Sequence, residues 1–207
     1  MKVSVDHCIR VLRSASIFGG SPRKGFTLAL TALSIGAAGL LQAEPMIGNS
    51  NITLEQVKAA QQNWGQGLIQ ISADFQTGGI EKATETARNI LEKAYGFQHG
   101  PVLFKPTLTQ YPQTYRLILE GALAYFVGNN PDFPNDNGFA LKGWTDFSKE
   151  NAGILIHGNT AMTMGRVRLT NQEGEITEVD KTWGFLLDSD GAVRIVLHHS
   201  SLPFTAL

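Results

Sequence analysis

The stretch TAMTMGRVRLTNQEGEITEVDKTWGFLLDSDGAVRIVLHHSS, residues 160–201, decides the fold. Apolar and polar residues alternate along it, and a period of two is typical of half-buried β-strands. Turn-forming residues such as Glu173-Gly174 separate the strand-like segments. Because successive strands are joined by short turns, we expect antiparallel hairpins and a meander sheet. The predicted strands cover residues 143–151, 152–157, 160–169, 174–187 and 191–201.

Upstream of the sheet the apolar residues recur every three or four positions, which predicts helices. Thr53 and Gln56 match the S/T-x-x-E/Q capping box at the start of the first helix. Gly78-Gly79 interrupts the pattern, and a second helix follows. We also expect a short strand and a third helix, at residues 102–104 and 115–127. Helices in one block and strands in the next predict an α+β domain with the helices packed on one face of the sheet.

The composition is that of a folded protein. Hydrophobic residues make up 43% of the 207-residue chain and charged residues 17%, against about 25% charged residues in an average soluble protein. This excludes an intrinsically disordered chain. The 17 basic and 18 acidic residues give a net charge of −1, so the overall charge gives no indication of nucleic-acid binding.

The N-terminal region has the pattern of an export signal. Residues 26–41, FTLALTALSIGAAGLL, carry no charge and follow two basic residues. A basic flank, a short apolar core and a small residue at its end are typical of a secretory signal peptide. We therefore interpret 1–43 as a signal peptide and 44–207 as one domain, exported to the periplasm and free of the membrane once the signal is removed. An uncleaved anchor and, in a eukaryote, a plastid or other organellar address stay open as alternatives.

Several catalytic motifs are absent from the sequence. It has no phosphate-binding G-x-x-x-x-G-K-S/T, no G-x-G-x-x-G after a strand, no H-E-x-x-H and no G-x-S-x-G. The one cysteine, Cys8, lies in the signal segment, so cysteine chemistry is absent from the mature domain. The adjacent His198 and His199 point to opposite faces of a strand, so one metal ion cannot take both without distortion. We therefore expect no metal and no other cofactor.

The polar end of the last strand is the strongest candidate for a functional site. Alternation along residues 193–201 places His198 and Ser200 on one face and His199 on the other. The strand begins with aliphatic residues on both faces, so its polar end must find hydrogen-bond partners or water. A general base and a substrate-orienting hydroxyl aimed into one pocket would have this pattern. A rim of merely hydrogen-bonded side chains would have it too, and the strand alone leaves both interpretations open.

Several blocks of the chain occur in a distinctive order. They are VLFKPT (102–107), EGALAYFVG (120–128), GFALK (138–142), ENAGI (150–154), WGF (183–185), DG (190–191) and RIVLHHSSLP (194–203). The C-terminal blocks resemble the SnoaL-like and calcium/calmodulin kinase II association group of the nuclear transport factor 2-like superfamily. With the upstream blocks, the chain resembles the metal-independent iota-class carbonic anhydrases of cyanobacteria, other bacteria and algae. The resemblance covers about residues 53–204.

This resemblance implies a fold, a partner and a set of site residues. The family fold is a cone-shaped α+β barrel, a homodimer as a rule, with its pocket between a curved sheet and the helices. In the metal-free branch a threonine, a tyrosine, a serine and a nearby histidine line the bicarbonate pocket, and these match Thr107, Tyr125, Ser200 and His198. Some members are associated with zinc or manganese and carry a further histidine before the pair. Here that position is Leu197, which argues against a metal.

The resulting hypothesis is a carbonic anhydrase that hydrates carbon dioxide to bicarbonate without a metal. His198 would take the water proton, directly or through Ser200, while Tyr125 and Thr107 orient the water and hold the nascent bicarbonate. Tyr125 is the rival base, disfavoured because the pKa of free tyrosine is about 10. Two other functions stay open: a SnoaL-like enzyme or binding protein for a larger organic ligand, and a non-catalytic association domain. A roomy apolar pocket with an acidic base would favour the larger ligand.

Overall fold

The computed structural model describes residues 51–206. The predicted signal segment, 1–43, lies outside the described residues. The elements follow the predicted order, with helices first and antiparallel strands after them. In the described part of the chain no helix is long and apolar enough to cross a membrane.

The first helix, α1 (Leu54–Ala94), begins with the predicted capping box. The Thr53 hydroxyl accepts a hydrogen bond from the Gln56 amide at 3.2 Å, and the Gln56 side chain accepts one from the Thr53 amide at 2.9 Å. At Gly79 the backbone leaves helical geometry, with φ 68° and ψ −163°. Glycine adopts a positive φ readily because it has no Cβ. The two predicted helices are therefore two arms of one element, joined at a kink.

Five strands form one sheet in the order β1-β5-β4-β3-β2. Strands β2 to β5 each pair antiparallel with the next strand in sequence, which confirms the predicted meander. The short β1 pairs in parallel with β5. The bounds are β1 Leu103–Lys105, β2 Trp144–His157, β3 Thr160–Asn171, β4 Ile176–Leu187 and β5 Val193–Ser201. Because β1 and β2 lie at opposite edges, the sheet is open and does not close into a barrel. This arrangement is consistent with the curved, cone-like sheet that the resemblance implies.

One predicted strand break is wrong. The stretches 143–151 and 152–157 form the single strand β2, whose register with β3 shifts between Asn151 and Gly153. Gly165 on β3 lies at this irregularity, where an added Cβ would overlap the Glu150 carbonyl oxygen. The glycine therefore lets the two strands approach closely at the bulge, and pairing continues on both sides of it.

The second helix, α2 (Leu119–Val127), begins later than the predicted residue 115. The residues before it are extended because they bond to the chain around β1. The Arg116 amide donates to the Phe104 carbonyl oxygen at 2.9 Å, and the Val102 amide donates to the Leu117 oxygen at 3.2 Å. These hydrogen bonds between two segments of the same chain bring α2 beside the sheet. Short 3₁₀ helices lie at Phe97–His99 and Phe139–Leu141.

The helices cover one face of the sheet, as predicted. Alternating residues of β3 and β4 are buried with residues of α1 in one core: Val167, Leu169, Val179, Trp183, Phe185, Trp64, Leu68 and Leu91. The other face of the sheet keeps large apolar side chains exposed, namely Leu155, Met162, Met164 and Ile176. The site described below opens on the covered face.

Candidate active site

A small cavity lies where β4 and β5 face the two helices. All four residues predicted for the site line it: Thr107, Tyr125, His198 and Ser200. The rest of its wall is formed by Trp64, Phe104, Pro106, Phe126, Phe139 and Lys181. The fold therefore brings the predicted hydroxyls and the predicted imidazole to one place.

The cavity accepts only a small guest. The volume open to a water centre is about 10 Å³, roughly what one water molecule requires. Tyr125 and Phe139 also line an adjoining pocket of about 80 Å³. The remaining wall of this outer pocket is mostly polar and is formed by Leu108, Asn135, Asp136, Asn137, Gly138 and Lys142. Tyr125 and Phe139 thus separate the inner cavity from the outer pocket.

The last strand positions two of the site residues as its alternation predicts. His198 and Ser200 lie on the inner face of β5 and are 2% and 1% exposed, while His199 between them is exposed. The Ser200 carbonyl oxygen accepts a hydrogen bond from Lys105 on β1 at 3.0 Å. This bond adds to the parallel pairing that holds the polar end of β5 in place.

Lys181 is a site residue that the sequence analysis missed. It lies opposite Ser200 in the register of β4 and β5 and is 5% exposed. Its Nζ is 2.7 Å from His198 Nε2 and donates to the Ser200 hydroxyl. The direct distance between Ser200 Oγ and His198 Nε2 is longer, 3.4 Å, so Lys181 links the two residues. A signal was present, because Lys181 takes the inward position between Val179 and Trp183 in an alternating strand.

Tyr95 and Trp64 hold the other side of the His198 ring. The Tyr95 hydroxyl is 2.7 Å from His198 Nδ1, and Trp64 Nε1 donates to the Tyr95 oxygen at 3.0 Å. Trp64 lies within α1, and Tyr95 is the residue at which α1 ends. The sequence analysis did not place Trp64 in the site and also overlooked Tyr95. Its spacing of four residues from Leu91 would have placed it on the core face of α1.

Aromatic rings enclose these polar groups. Phe104 stacks on the His198 ring at a centroid distance of 4.3 Å and an interplanar angle of 24°, and Trp64 meets the same ring edge-on at 5.4 Å. Lys181 Nζ lies 4.4 Å from the Trp64 ring centroid and 5.2 Å from the Trp183 centroid. In such an environment of low polarity, hydrogen bonds are stronger and charged groups are costly.

Burial shifts the pKa of each titratable group on the cavity wall, and that of Tyr95, which contacts His198. Desolvation lowers the pKa of Lys181 and of His198 well below their ordinary values, and the nearby Lys181 lowers the pKa of His198 further. Desolvation raises the pKa of Tyr95 and of Tyr125 above the ordinary value for tyrosine. All four shifts favour the uncharged form of the group. Burial therefore acts against charge on the cavity wall.

The Tyr125 hydroxyl is buried and has no hydrogen-bond partner among the described residues. Phe104 meets its ring edge-on and Phe139 stacks on it at 5.4 Å, so the side chain is held in place. Thr107 and the Leu108 backbone are close enough to oppose part of the rise in the Tyr125 pKa. A buried polar atom without a partner costs about 1–3 kcal/mol. A substrate or water oxygen in the cavity would satisfy it.

None of the described residues that line the cavity is a carboxylate. The acid beside it, Asp136, lines the outer pocket and accepts hydrogen bonds from the buried Arg116 at 2.8 and 2.9 Å. Within residues 51–206 no group of three or more His, Cys, Asp or Glu side chains could hold a metal ion. The site thus offers hydroxyl, amine and imidazole groups, and it lacks the acidic base and the room that a larger organic ligand would need.

Comparison with known proteins adds four findings. The sequence profile described as metal-independent carbonic anhydrase matches residues 55–202. A protein of that name from Nostoc sp. is 51% identical over 158 residues, which are 76% of this chain and 77% of the relative. The crystal structure of an iota-carbonic anhydrase from a cyanobacterium, complexed with bicarbonate, is 49% identical and has a TM-score of 0.77 over 79% of this chain and 100% of that one. A protein described as a calcium/calmodulin dependent protein kinase II association domain, from Xanthomonas campestris, is 19% identical with a TM-score of 0.48, over 79% of this chain and 94% of that one.

Proposed function

The chain belongs to the metal-independent carbonic anhydrase family, and we propose that it works in the cavity beside Ser200. Its activity is the reversible hydration of carbon dioxide to bicarbonate. The main support for this site is that one small cavity is lined by Thr107, Tyr125, His198 and Ser200. The similar cyanobacterial enzyme forms a complex with bicarbonate, an anion whose three oxygens suit a wall of hydroxyl donors.

Hydration requires stabilisation of negative charge on the substrate oxygens. As the water oxygen attacks the carbon, charge develops on the two oxygens of carbon dioxide. The hydroxyls of Thr107, Tyr125 and Ser200 can donate hydrogen bonds to these oxygens and orient the water. One such donor, aimed at the developing charge, contributes about 3–4 kcal/mol to the transition state. Because the donors are already buried and fixed, little reorganisation is needed during the reaction.

The attacking water also loses a proton. The ring nitrogens of His198 are bonded to Tyr95 and Lys181, so His198 does not take this proton itself, and we propose that it acts by positioning Ser200 through Lys181. We propose that the Tyr125 hydroxyl takes this proton while it passes its own proton to water in the outer pocket, because Tyr125 borders both the cavity and that pocket. A positioned proton acceptor contributes about 10²–10⁴-fold in rate. Together with the donors this supports catalysis without a metal.

Stopped-flow measurement of carbon dioxide hydration by the full chain, in excess chelator, tests this proposal. We expect a rate above that of buffer, and a loss of about 10²-fold or more in kcat for Ser200→Ala and for Tyr125→Phe. Ser148→Ala, at an exposed serine of β2, is the control and should keep the wild-type rate. No rate above buffer would contradict the metal-free activity. Equal rates for the wild type and both site variants would leave the activity and remove the site.

We further propose a homodimer that forms through the exposed face of the sheet. Leu155 lies opposite Met162 in the register of β2 and β3, and Met164 follows on the same face. These side chains are 60%, 54% and 64% exposed, and a second copy that covers them would remove apolar surface from water. Light scattering after gel filtration should give the mass of two chains, and Met164→Lys should shift it toward one. A wild-type monomer would contradict this proposal.

Export to the periplasm is also a proposal, supported by the basic flank and the apolar core of residues 26–41. Fractionation of a bacterial host should recover the protein outside the cytoplasm. N-terminal sequencing should then begin at Glu44. A protein that stays in the cytoplasm with its first residues intact would contradict both the signal and its cleavage.

A further inference from the structure

Five buried groups form one hydrogen-bonded chain that ends at the cavity. It runs from Trp64 through Tyr95, His198 and Lys181 to Ser200. The first three links measure 3.0, 2.7 and 2.7 Å between heavy atoms, and the fourth joins Lys181 Nζ to Ser200 Oγ. Each of these groups has a known number of donors and acceptors, so counting them shows which partner donates in each hydrogen bond.

The count begins at Trp64, whose indole N–H can only donate. The Tyr95 oxygen accepts this bond, and the buried Tyr95 hydrogen is satisfied only if it goes to the other partner, His198 Nδ1. A neutral His198 that accepts at Nδ1 carries its hydrogen on Nε2. That hydrogen points to Lys181 Nζ, 2.7 Å away. An ammonium group has no lone pair with which to accept it, whereas a neutral amine has one.

We propose that Lys181 is an uncharged amine in the working enzyme and that it turns the Ser200 hydroxyl hydrogen toward a substrate oxygen. Its lone pair is occupied by His198, one of its hydrogens goes to Ser200 Oγ, and the other lies over the Trp64 ring. Ser200 thus already accepts a hydrogen bond from the protein, and its own hydrogen is free to be donated into the cavity. Lys181 and His198 act through Ser200, so both are positioning residues. The role toward a substrate rests on the proposed function, whereas the state of Lys181 follows from the hydrogen count.

Among the described residues, none that faces Lys181 carries a negative charge that would keep a proton on it. The groups that face it come from both helices and from β5: Trp64, Tyr95, Tyr125, His198 and Ser200. None of them is a carboxylate. Lys105 and His199, at the same end of β5, are basic, and the acid beside the cavity, Asp136, is paired with Arg116. Burial also lowers the pKa of Lys181, which agrees with the neutral state that the hydrogen count requires.

The uncharged state matters because the product is an anion. A cation beside Ser200 would attract bicarbonate and slow its release, whereas a neutral donor stabilises the transition state through a directed hydrogen bond. When the pH falls through the pKa of Lys181, the amine becomes a cation and must donate to His198. The His198 hydrogen then has to move to Nδ1, which leaves the Tyr95 hydrogen without an acceptor. We therefore expect hydration to slow on the acid side as bicarbonate binds more tightly.

NMR of protein with isotope-labelled lysine and histidine side chains reports both protonation states. Lys181 is identified by contacts of its Nζ and Cε with the indole of Trp64, so no variant is needed. We expect the Nζ of a neutral amine near neutral pH, and a His198 ring that carries its hydrogen on Nε2. An ammonium signal for Lys181 throughout the neutral and mildly alkaline range would overturn the inference, as would a His198 hydrogen on Nδ1.

The kinetic test uses Lys181→Met, which keeps the length of the side chain and removes its donors. We expect kcat for hydration to fall about 10-fold or more, and the acid-side decline in activity and the pH dependence of bicarbonate inhibition to disappear. Lys149→Met, at a half-buried lysine of β2 that does not line the cavity, should retain both. A merely structural role would lower the rate without flattening the pH profile.

The two proposals fail in different ways. If the wild type does not hydrate carbon dioxide, the proposed function is wrong, and NMR still decides the state of Lys181. If the wild type is active and Lys181→Met keeps its rate and its pH profile, the positioning role is wrong and the proposed function stands.

Discussion

Two basic side chains are buried in this molecule in opposite ways. Arg116 is 2% exposed, and its guanidinium donates to both carboxylate oxygens of Asp136 at 2.8 and 2.9 Å. Lys181 is 5% exposed and contacts an imidazole, a hydroxyl and two indole rings. A guanidinium stays protonated in proteins, so a buried arginine needs a counter-charge. An amine can lose its proton, so a buried lysine can do without one.

The difference distinguishes a scaffold from a site. The pair of Arg116 and Asp136 joins the segment before α2 to the loop after it. Asp136 also lines the outer pocket, so the pair holds fixed the region that borders the cavity. The region of Lys181 holds neutral groups whose hydrogens can be redirected by moving one proton. Neutral, hydrogen-bonded groups can change their protonation or hydrogen-bond direction at a modest cost in free energy. The residues around a catalytic cavity need this freedom.

The largest effect is expected when the counter-charge of Arg116 is removed. Asp136→Asn leaves a buried guanidinium without an anion, and breaking such a pair costs about 3–5 kcal/mol of unfolding free energy. Urea unfolding measures this loss. Asp132→Asn, at an exposed position of the same loop, is the control and should change little. If both variants lose the same small amount, Arg116 does not depend on its counter-charge, and the contrast with Lys181 disappears.

The next largest effect on stability is expected from the two buried tyrosines, Tyr95 and Tyr125. The Tyr95 hydroxyl is hydrogen-bonded within the protein, and that of Tyr125 has no partner among the described residues. Tyr95→Phe removes the acceptor of the Trp64 N–H and the donor to His198, and we expect a loss of about 1–3 kcal/mol in unfolding free energy. Tyr125→Phe removes a hydroxyl without a protein partner in the described chain, so stability should stay equal or rise while kcat falls. Paired urea and stopped-flow measurements check this. A large loss of stability in Tyr125→Phe would mean that its hydroxyl is part of the scaffold.

The same regions show which parts of the site could be predicted from the sequence. His198 and Ser200 were predictable because alternation is a local property that places residues two apart on one face. Their link through Lys181 was not, since it depends on the register between β4 and β5, which no single strand specifies. Tyr95 depends on where α1 ends against the sheet, which is also a non-local property. The resemblance to a family supplied Thr107, because the turn that carries it has no periodicity of its own.

The fold also has features that local sequence predicts and features that depend on distant contacts. The capping box at Thr53 and the break at Gly79 follow from a few neighbouring residues, and both are confirmed. The start of α2 was placed too early because the bond from the Arg116 amide to the Phe104 carbonyl keeps the preceding residues extended. The continuity of β2 depends on close approach at Gly165 of the neighbouring strand. Local signals therefore predicted the elements, and contacts between distant segments decided their bounds.

Stability should depend on pH through Lys181. The pKa of Lys181 is lowered in the folded protein and near 10.5 in the unfolded chain. Between the two values the unfolded chain binds one more proton, so the unfolding free energy rises with pH, by up to about 1.4 kcal/mol per unit. The rise should be measured below the ordinary tyrosine pKa of 10.0, because ionisation of unfolded Tyr95 and Tyr125 opposes it above that value.

Urea unfolding of the wild type and of Lys181→Met at several pH values separates this contribution. The variant should lose most of the slope, and Lys149→Met should keep it. Equal slopes in the wild type and Lys181→Met would mean that Lys181 holds the same proton in both states, which contradicts an uncharged amine in the folded protein.

The smallest effect comes from an ion pair with the same forked geometry but at the surface. Arg88 on α1 donates to both carboxylate oxygens of Glu120 on α2 at 2.9 and 3.2 Å, and the two side chains are 40% and 54% exposed. Exposed pairs contribute about 0.2–1 kcal/mol because water solvates the separated charges almost as well. Glu120→Gln should therefore lower the unfolding free energy by less than about 1 kcal/mol, and high salt should remove most of that difference. If the loss instead matched that of Asp136→Asn and did not respond to salt, the geometry of the fork rather than its burial would set the strength of these pairs, and the explanation given for Arg116 would fail with it.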